Sequence, residues 1–264
     1  MTLLFNLSLV ACLLALIVAA VNLFVPRRPL AGAVTLLLTL GVLGLTGYLG
    51  WRWLEAGRPP FGNMFESLVV LAWAVVVVYL ALRAARRIPV LGTATALLAT
   101  LVLAYASAFE SDIQPLMPAL RSNWLTFHVF TCMLGYGAFA VSFLAAIGHL
   151  ITARTLSRAS PEVRGAFEII TARTISFGFL FLSVGIITGA VWANSAWGTY
   201  WSWDPKETWS LITWLVYAIY LHCRFMRLWL GRRAAWIAII GFICVLITYV
   251  GVNFLMKSVH SYAS

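Results

Sequence analysis

The sequence predicts an all-α integral membrane protein of about eight transmembrane helices, with both termini on the extracytoplasmic side. Three observations predict it. Apolar residues fill 62% of the 264 positions and charged ones 10%, where an ordinary soluble domain carries about 25% charged residues. Eight apolar segments approach or exceed the roughly 20 residues that a helix needs to cross a bilayer. Thirteen of the eighteen Lys and Arg residues fall in alternate connections between those segments, the asymmetry that marks cytoplasmic loops.

The first span, 2–25, has no basic stretch before it and no small-residue cleavage site after it, so it reads as a retained helix rather than a removed signal peptide. Spans 30–51, 64–83 and 89–108 follow. Asn63 and Glu66 have capping-box spacing at the start of the third. The stretch Glu110–Asn123 is polar enough for a loop, and span five covers 124–152. Ser160-Pro161-Glu162 is expected to open a short interfacial helix before span six, 170–192. Asp204-Pro205-Lys206-Glu207 opens span seven, 208–229, with Asp204 as N-cap, Pro205 at the first helical position and Glu207 at N3. Span eight covers 234–256. Residues 1–264 read as a single membrane domain.

The connections after spans one, three, five and seven hold Arg27 and Arg28; Arg83, Arg86 and Arg87; Arg154, Arg158, Arg164 and Arg173; and Arg224, Arg227, Arg232 and Arg233. The other side holds Arg52, Arg58, Arg121, Lys206 and Lys257. The net charge of +10 is therefore topological, facing lipid boundaries, and no nucleic-acid partner is expected. Cys12, Cys132, Cys223 and Cys244 form no CxxC pair, which sets aside a zinc or disulfide framework; they read as small packing residues.

Between spans six and seven lies Trp197-Gly198-Thr199-Tyr200-Trp201-Ser202-Trp203-Asp204-Pro205-Lys206-Glu207-Thr208. Six of the twelve Trp residues fall between Trp192 and Trp214. An interfacial belt accounts for indoles in general, but such a density at one boundary suits stacking on a large planar ligand. Topology brings His128, near the outer end of span five, and His260, after span eight, to the same face as this loop. Two neutral imidazoles from opposite sides can fill both axial positions of a haem iron. His222 lies about 14 residues into span seven, roughly 21 Å deep, where an ionisable residue points to function. His149 reads as a juxtamembrane polar residue.

Trp197-Gly-x-x-Trp201-x-Trp203-Asp204-x-x-Glu207 resembles the tryptophan-rich WWD signature of haem-handling proteins in cytochrome c maturation. Asn63-Met64-Phe65-Glu66, His128-Val129 with Gly135-Tyr136, His222, and Val252-Asn253-Phe254 before His260 agree with it. With eight spans, the chain is identified as a member of the CcsA (ResC) branch of the type II system. The resemblance implies that His128 and His260 ligate haem iron at an external site, with Trp197, Gly198, Tyr200, Trp201, Trp203 and Asp204 forming the haem-binding loop. It implies that His222 ligates haem at a transmembrane site completed by a separate CcsB/ResB-like membrane subunit. The implied cargo is haem b and the implied client apocytochrome c, whose CxxCH thiols receive the haem. The implied location is a bacterial plasma membrane or a thylakoid membrane, with the loop on the extracytoplasmic face. Arg52, Arg58, Arg121 and Lys206 are candidates for the haem propionates, and the sequence does not choose among them. The related CcmC branch, which delivers haem to a chaperone, is expected to have six spans. A proton-coupled transporter using His222 and His149 leaves the Trp loop unexplained.

Overall fold

The structure, a computed structural model, describes residues 2–83, 88–155 and 161–255. Among these it contains nine α-helices, one 3-10 turn, one π-helical turn and no strand, as an all-α membrane protein requires. The helices are α1 (Thr2–Phe24), α2 (Arg28–Ala56), α3 (Met64–Arg83), α4 (Pro89–Ala106), α5 (Asn123–Thr155), α6 (Pro161–Trp197), α7 (Pro205–Phe225), α8 (Arg232–Leu246) and α9 (Val252–Leu255). Pro118–Leu120 forms the 3-10 turn and Ile247–Gly251 the π turn joining α8 to α9. Seven helical stretches among the described residues are long and apolar enough to cross a membrane, the last running from Arg232 to Leu255 through α8, the π turn and α9. Helix α7, at 21 residues, has the length of an eighth but sets an apolar stripe against a polar one.

Two expectations change. The segment opened by Pro161 is no separate interfacial helix; it is the first turns of a continuous 37-residue α6. No Pro interrupts the chain from Glu162 to Trp197, so the helix runs on through polar residues that a hydropathy reading clips. Helix α7 starts at its proline and ends at Phe225 rather than Trp229, where the backbone turns through left-handed residues at Arg227 (φ 54°) and Gly231 (φ 61°).

The chain divides into two compact units, Met1–Gln114 and Pro115–Ser264. In the first, α1 packs on α2 and α4, and α3 on α4 and α2. Gly41 lets α2 approach Cys12 of α1; a methyl there would sit 3.3 Å from the thiol. Glu66, fully buried, anchors the loops of this unit. It accepts from Arg52 Nε at 2.7 Å, from an Arg58 guanidinium N–H at 2.9 Å and from the Gly62 amide at 2.6 Å. Arg52 also donates to the carbonyls of Ser111 (2.6 Å) and Asp112 (3.3 Å), and Arg58 to that of Gln114 (3.1 Å). The capping role read from the sequence holds, since Asn63 Oδ1 accepts the Glu66 N–H at 2.8 Å. Glu66 is in addition the counter-ion of two arginines.

In the second unit α5 pairs with α6 along most of its length, and α8 lies against α5 and α7. Gly135 and Gly178 set the spacing of α5 and α6: a methyl on Gly178 would lie 3.0 Å from the Gly135 carbonyl. Small residues of this kind let helix backbones approach within a membrane. Further along, Phe139 stacks on Tyr217 with centroids 3.8 Å apart, and Gly241 of α8 leaves room for that tyrosine ring. At the end of the unit away from the Trp-rich loop, His149 is buried within this unit. Its Nε2 lies 3.9 Å from a Glu168 carboxylate that also pairs with Arg224 at 3.2 Å.

Candidate functional site

Two helix ends shape the Trp-rich loop. Helix α6 stops because Gly198 takes a left-handed conformation (φ 78°) and its N–H returns to the Asn194 carbonyl at 2.9 Å. Helix α7 starts on the expected capping box: Asp204 accepts the Lys206 N–H at 3.1 Å, and Glu207 accepts the Asp204 N–H at 3.2 Å. Glu207 does more than cap. The same oxygen takes the Ser202 N–H at 2.8 Å and its hydroxyl at 3.3 Å. One carboxylate therefore grips the backbone on both sides of Trp203. That residue needs gripping, because its φ is 59°, a conformation costing a bulky side chain on the order of 1–3 kcal/mol. The result is an indole held 68% exposed, set edge-on to Trp201 with centroids 5.6 Å apart. Tyr200 is likewise exposed.

His128 sits in the second turn of α5, with Nδ1 2.7 Å from the Gly185 carbonyl of α6. A carbonyl oxygen accepts only, so Nδ1 carries the hydrogen. The lone pair of the neutral ring is then on Nε2, pointing away from that bond. A ring nitrogen oriented by a carbonyl behind it is the usual support of a metal-ligating histidine. Two glycines of α6 make the slot. A methyl on Gly189 would meet His128 Nδ1 at 2.5 Å, and one on Gly185 would meet the Cys132 sulfur at 2.6 Å.

Trp192, fully buried, lies nearly parallel to the imidazole with centroids 6.2 Å apart and planes at 17°. Its indole N–H donates to the Ala119 carbonyl at 2.9 Å, and its ring meets Trp197 edge-on at 4.8 Å. Leu120 and Leu125 close the apolar surround. The series His128, Trp192, Trp197 thus ties the imidazole to the start of the loop. Gly198, Tyr200, Trp201, Trp203 and Asp204 follow at the same end of the unit.

The π turn Ile247–Gly251 brings Asn253 to the same end, where its side-chain oxygen accepts from Lys206 Nζ at 3.1 Å. His260 and Lys257 lie outside the described residues. His222 is not brought to His128. It lies in the last turn of α7, some 26 Å along the axis from Pro205 at 1.5 Å per residue, and its ring is exposed on this chain. Of the four cations proposed for carboxylates, Arg52 and Arg58 are engaged by Glu66, and Arg121 is exposed with Nε on the Leu116 carbonyl at 3.2 Å. No group of three His, Cys, Asp or Glu side chains among the described residues can enclose a metal ion. The arrangement suits one axial nitrogen to a planar chelate.

Sequence reasoning did not assign roles to Gly185, Gly189 or Trp192 as a set. Their spacing of four and three residues places them on one face of a helix, so the signal was present without a sign of what they faced.

The family described as cytochrome C assembly protein matches residues 61–260 of this chain. The cytochrome c biogenesis protein CcsA of Synechococcus sp. (strain RCC307) is 41% identical, with 96% of this chain and 92% of that protein covered. The protein of the same name from Guillardia theta is 40% identical, with 84% and 83% covered. Among solved structures, cytochrome c heme lyase CcmF has the same fold, with a TM-score of 0.71 at 18% identity, over 98% of this chain and 46% of that one.

Proposed function

Because this chain belongs to the cytochrome c assembly protein family, in its CcsA branch, we propose that His128 is an axial ligand holding haem against the Trp-rich loop for attachment to apocytochrome c. Haem handling for cytochrome c maturation is the work of the family. The observation that carries the site reading is the 2.7 Å bond from His128 Nδ1 to the Gly185 carbonyl, which leaves Nε2 as the ligating nitrogen. The cargo is haem b and the second axial ligand His260. His222, exposed on α7, is the ligand of a transmembrane site whose other half comes from a CcsB/ResB-like subunit. The loop faces the extracytoplasmic side of a bacterial plasma membrane or thylakoid membrane. The helix count also favours this branch over CcmC, for which six spans are expected.

The chain's own contribution is positional. In the attachment step each thiol of the client's CxxCH segment adds across a haem vinyl group; a sulfur–carbon bond forms, and the thiol hydrogen ends on the neighbouring carbon. The chain holds the porphyrin still, keeps both axial positions filled and presents the vinyl edge. Fixed geometry of this kind supplies a large part of a barrier reduction. The exposed Trp203 and Tyr200 are the surfaces on which the ring rests.

The test is the haem spectrum of the chain purified with its partner subunit from haem-replete membranes. His128→Ala is expected to lose most of the Soret absorbance of the external site, and added imidazole to restore part of it. Wild-type absorbance in His128→Ala and His260→Ala alike would remove the external site.

A further inference from the structure

We propose that Lys206 binds a carboxylate of the bound porphyrin, pairing its ammonium with a haem propionate beside His128; this rests on the reading of His128 as an axial ligand.

Among the described residues Lys206 forms no ion pair within 4.0 Å; Asp204 acts on it only at longer range. It stands in the first turn of α7, half-buried, immediately after the loop. Its Nζ is 3.1 Å from Asn253 Oδ1. That amide cannot turn freely, because its nitrogen donates to the Tyr249 carbonyl at 2.8 Å, so the oxygen is the atom facing the ammonium. An ammonium has three donors, and this contact uses one. Among the described residues the ion pairs are those of Glu66 with Arg52 and Arg58 and of Glu168 with His149 and Arg224; no carboxylate lies within 4.0 Å of Lys206. Asp204, its near neighbour, accepts the backbone N–H of Lys206 as a cap.

The ammonium is also within electrostatic reach of His128 and Cys132. Lys206 thus stands at the same end of the unit as the His128 imidazole, next to Asp204 of the Trp-rich loop. A charge partly withdrawn from water with two of its three donors open is unfavourable, and a carboxylate arriving opposite it fills them. Haem carries two such carboxylates on one edge. Asn253 holds the ammonium in place before the ligand comes, so less side-chain freedom is lost on binding.

The experiment compares haem with haem dimethyl ester, whose propionates carry no charge, on the full chain with its partner subunit in membranes. Retention is read by Soret absorbance after purification. A charge-assisted pair predicts that wild type retains haem on the order of tenfold better than the ester. Lys206→Met is expected to bring that ratio close to one, and Lys206→Arg to keep it. The ratio is internal to each variant, so a lower yield of folded protein leaves it unchanged. No preference in wild type, or an unaltered preference in Lys206→Met, overturns the pairing. His128→Ala separates the two claims: loss of haem and ester alike upholds the axial ligand, whereas wild-type retention of both overturns the site on which the pairing rests.

Discussion

His128 shows how little a side chain's identity says until its neighbour is known. The imidazole itself was legible in the sequence; its orientation was not, because the group that orients it is a backbone carbonyl. What the sequence carried instead was Gly189, whose missing methyl makes room for the ring. Gly189→Ala sets two effects against each other. Alanine in a helix gains about 1 kcal/mol over glycine, while overpacking costs about 1–3 kcal/mol. A contact at 2.5 Å gives the decision to overpacking, so the variant is expected to melt earlier in detergent and to lose haem. Gly50→Ala in α2 is the control: nothing lies within 4 Å of a methyl there, so its melting temperature should hold or rise. His149 is the converse case. One histidine near a span end reads as polar trim, and the structure buries it against Glu168, a partner 19 residues away that no local pattern joins to it.

Helix elements were legible where their ends carry capping chemistry, and less so where hydropathy alone set the limits. Asp204-Pro205-Lys206-Glu207 located the start of α7 through side-chain and proline rules that operate within four residues. The start of α6 was blurred because charged turns continue an apolar helix, and the π turn in the last helical stretch leaves no hydropathic trace. The capping box also turned out to control more than a helix start, since Glu207 holds three donors around the left-handed Trp203. Glu207→Ala is expected to release that strain by letting the loop relax, beyond the ~1 kcal/mol of a lost cap. Intrinsic Trp fluorescence should show a changed environment, and haem retention should fall although His128 is untouched. Unchanged retention would mean that the indole's fixed pose does not matter to the ligand.

At the scale of the whole chain, the alternation of arginine clusters expects the loop at Thr199 outside the cytoplasm and the turn before α8 inside it. The four cysteines are buried, so the native chain offers little background to a thiol label. Thr199→Cys, at an exposed loop position, is expected to react with a membrane-impermeant maleimide in intact cells. Leu230→Cys, also exposed, is expected to react once the membrane is opened. The reverse pattern would invert the topology. Fold class and helix count were legible at this scale because hydrophobic length is additive along the sequence. The division into two compact units was not, because it depends on which helices choose each other.

The hydrogen bond that His128 donates to the Gly185 carbonyl bears on any attempt to move this site to another scaffold. Grafting the histidine would transfer the nitrogen proposed to bind iron but not the acceptor that aims it, for that acceptor belongs to every amino acid and is encoded by none. The portable unit is a helix pair with two notches in one partner, and drift in its sequence is bounded by absent atoms rather than by a recognisable acidic mate.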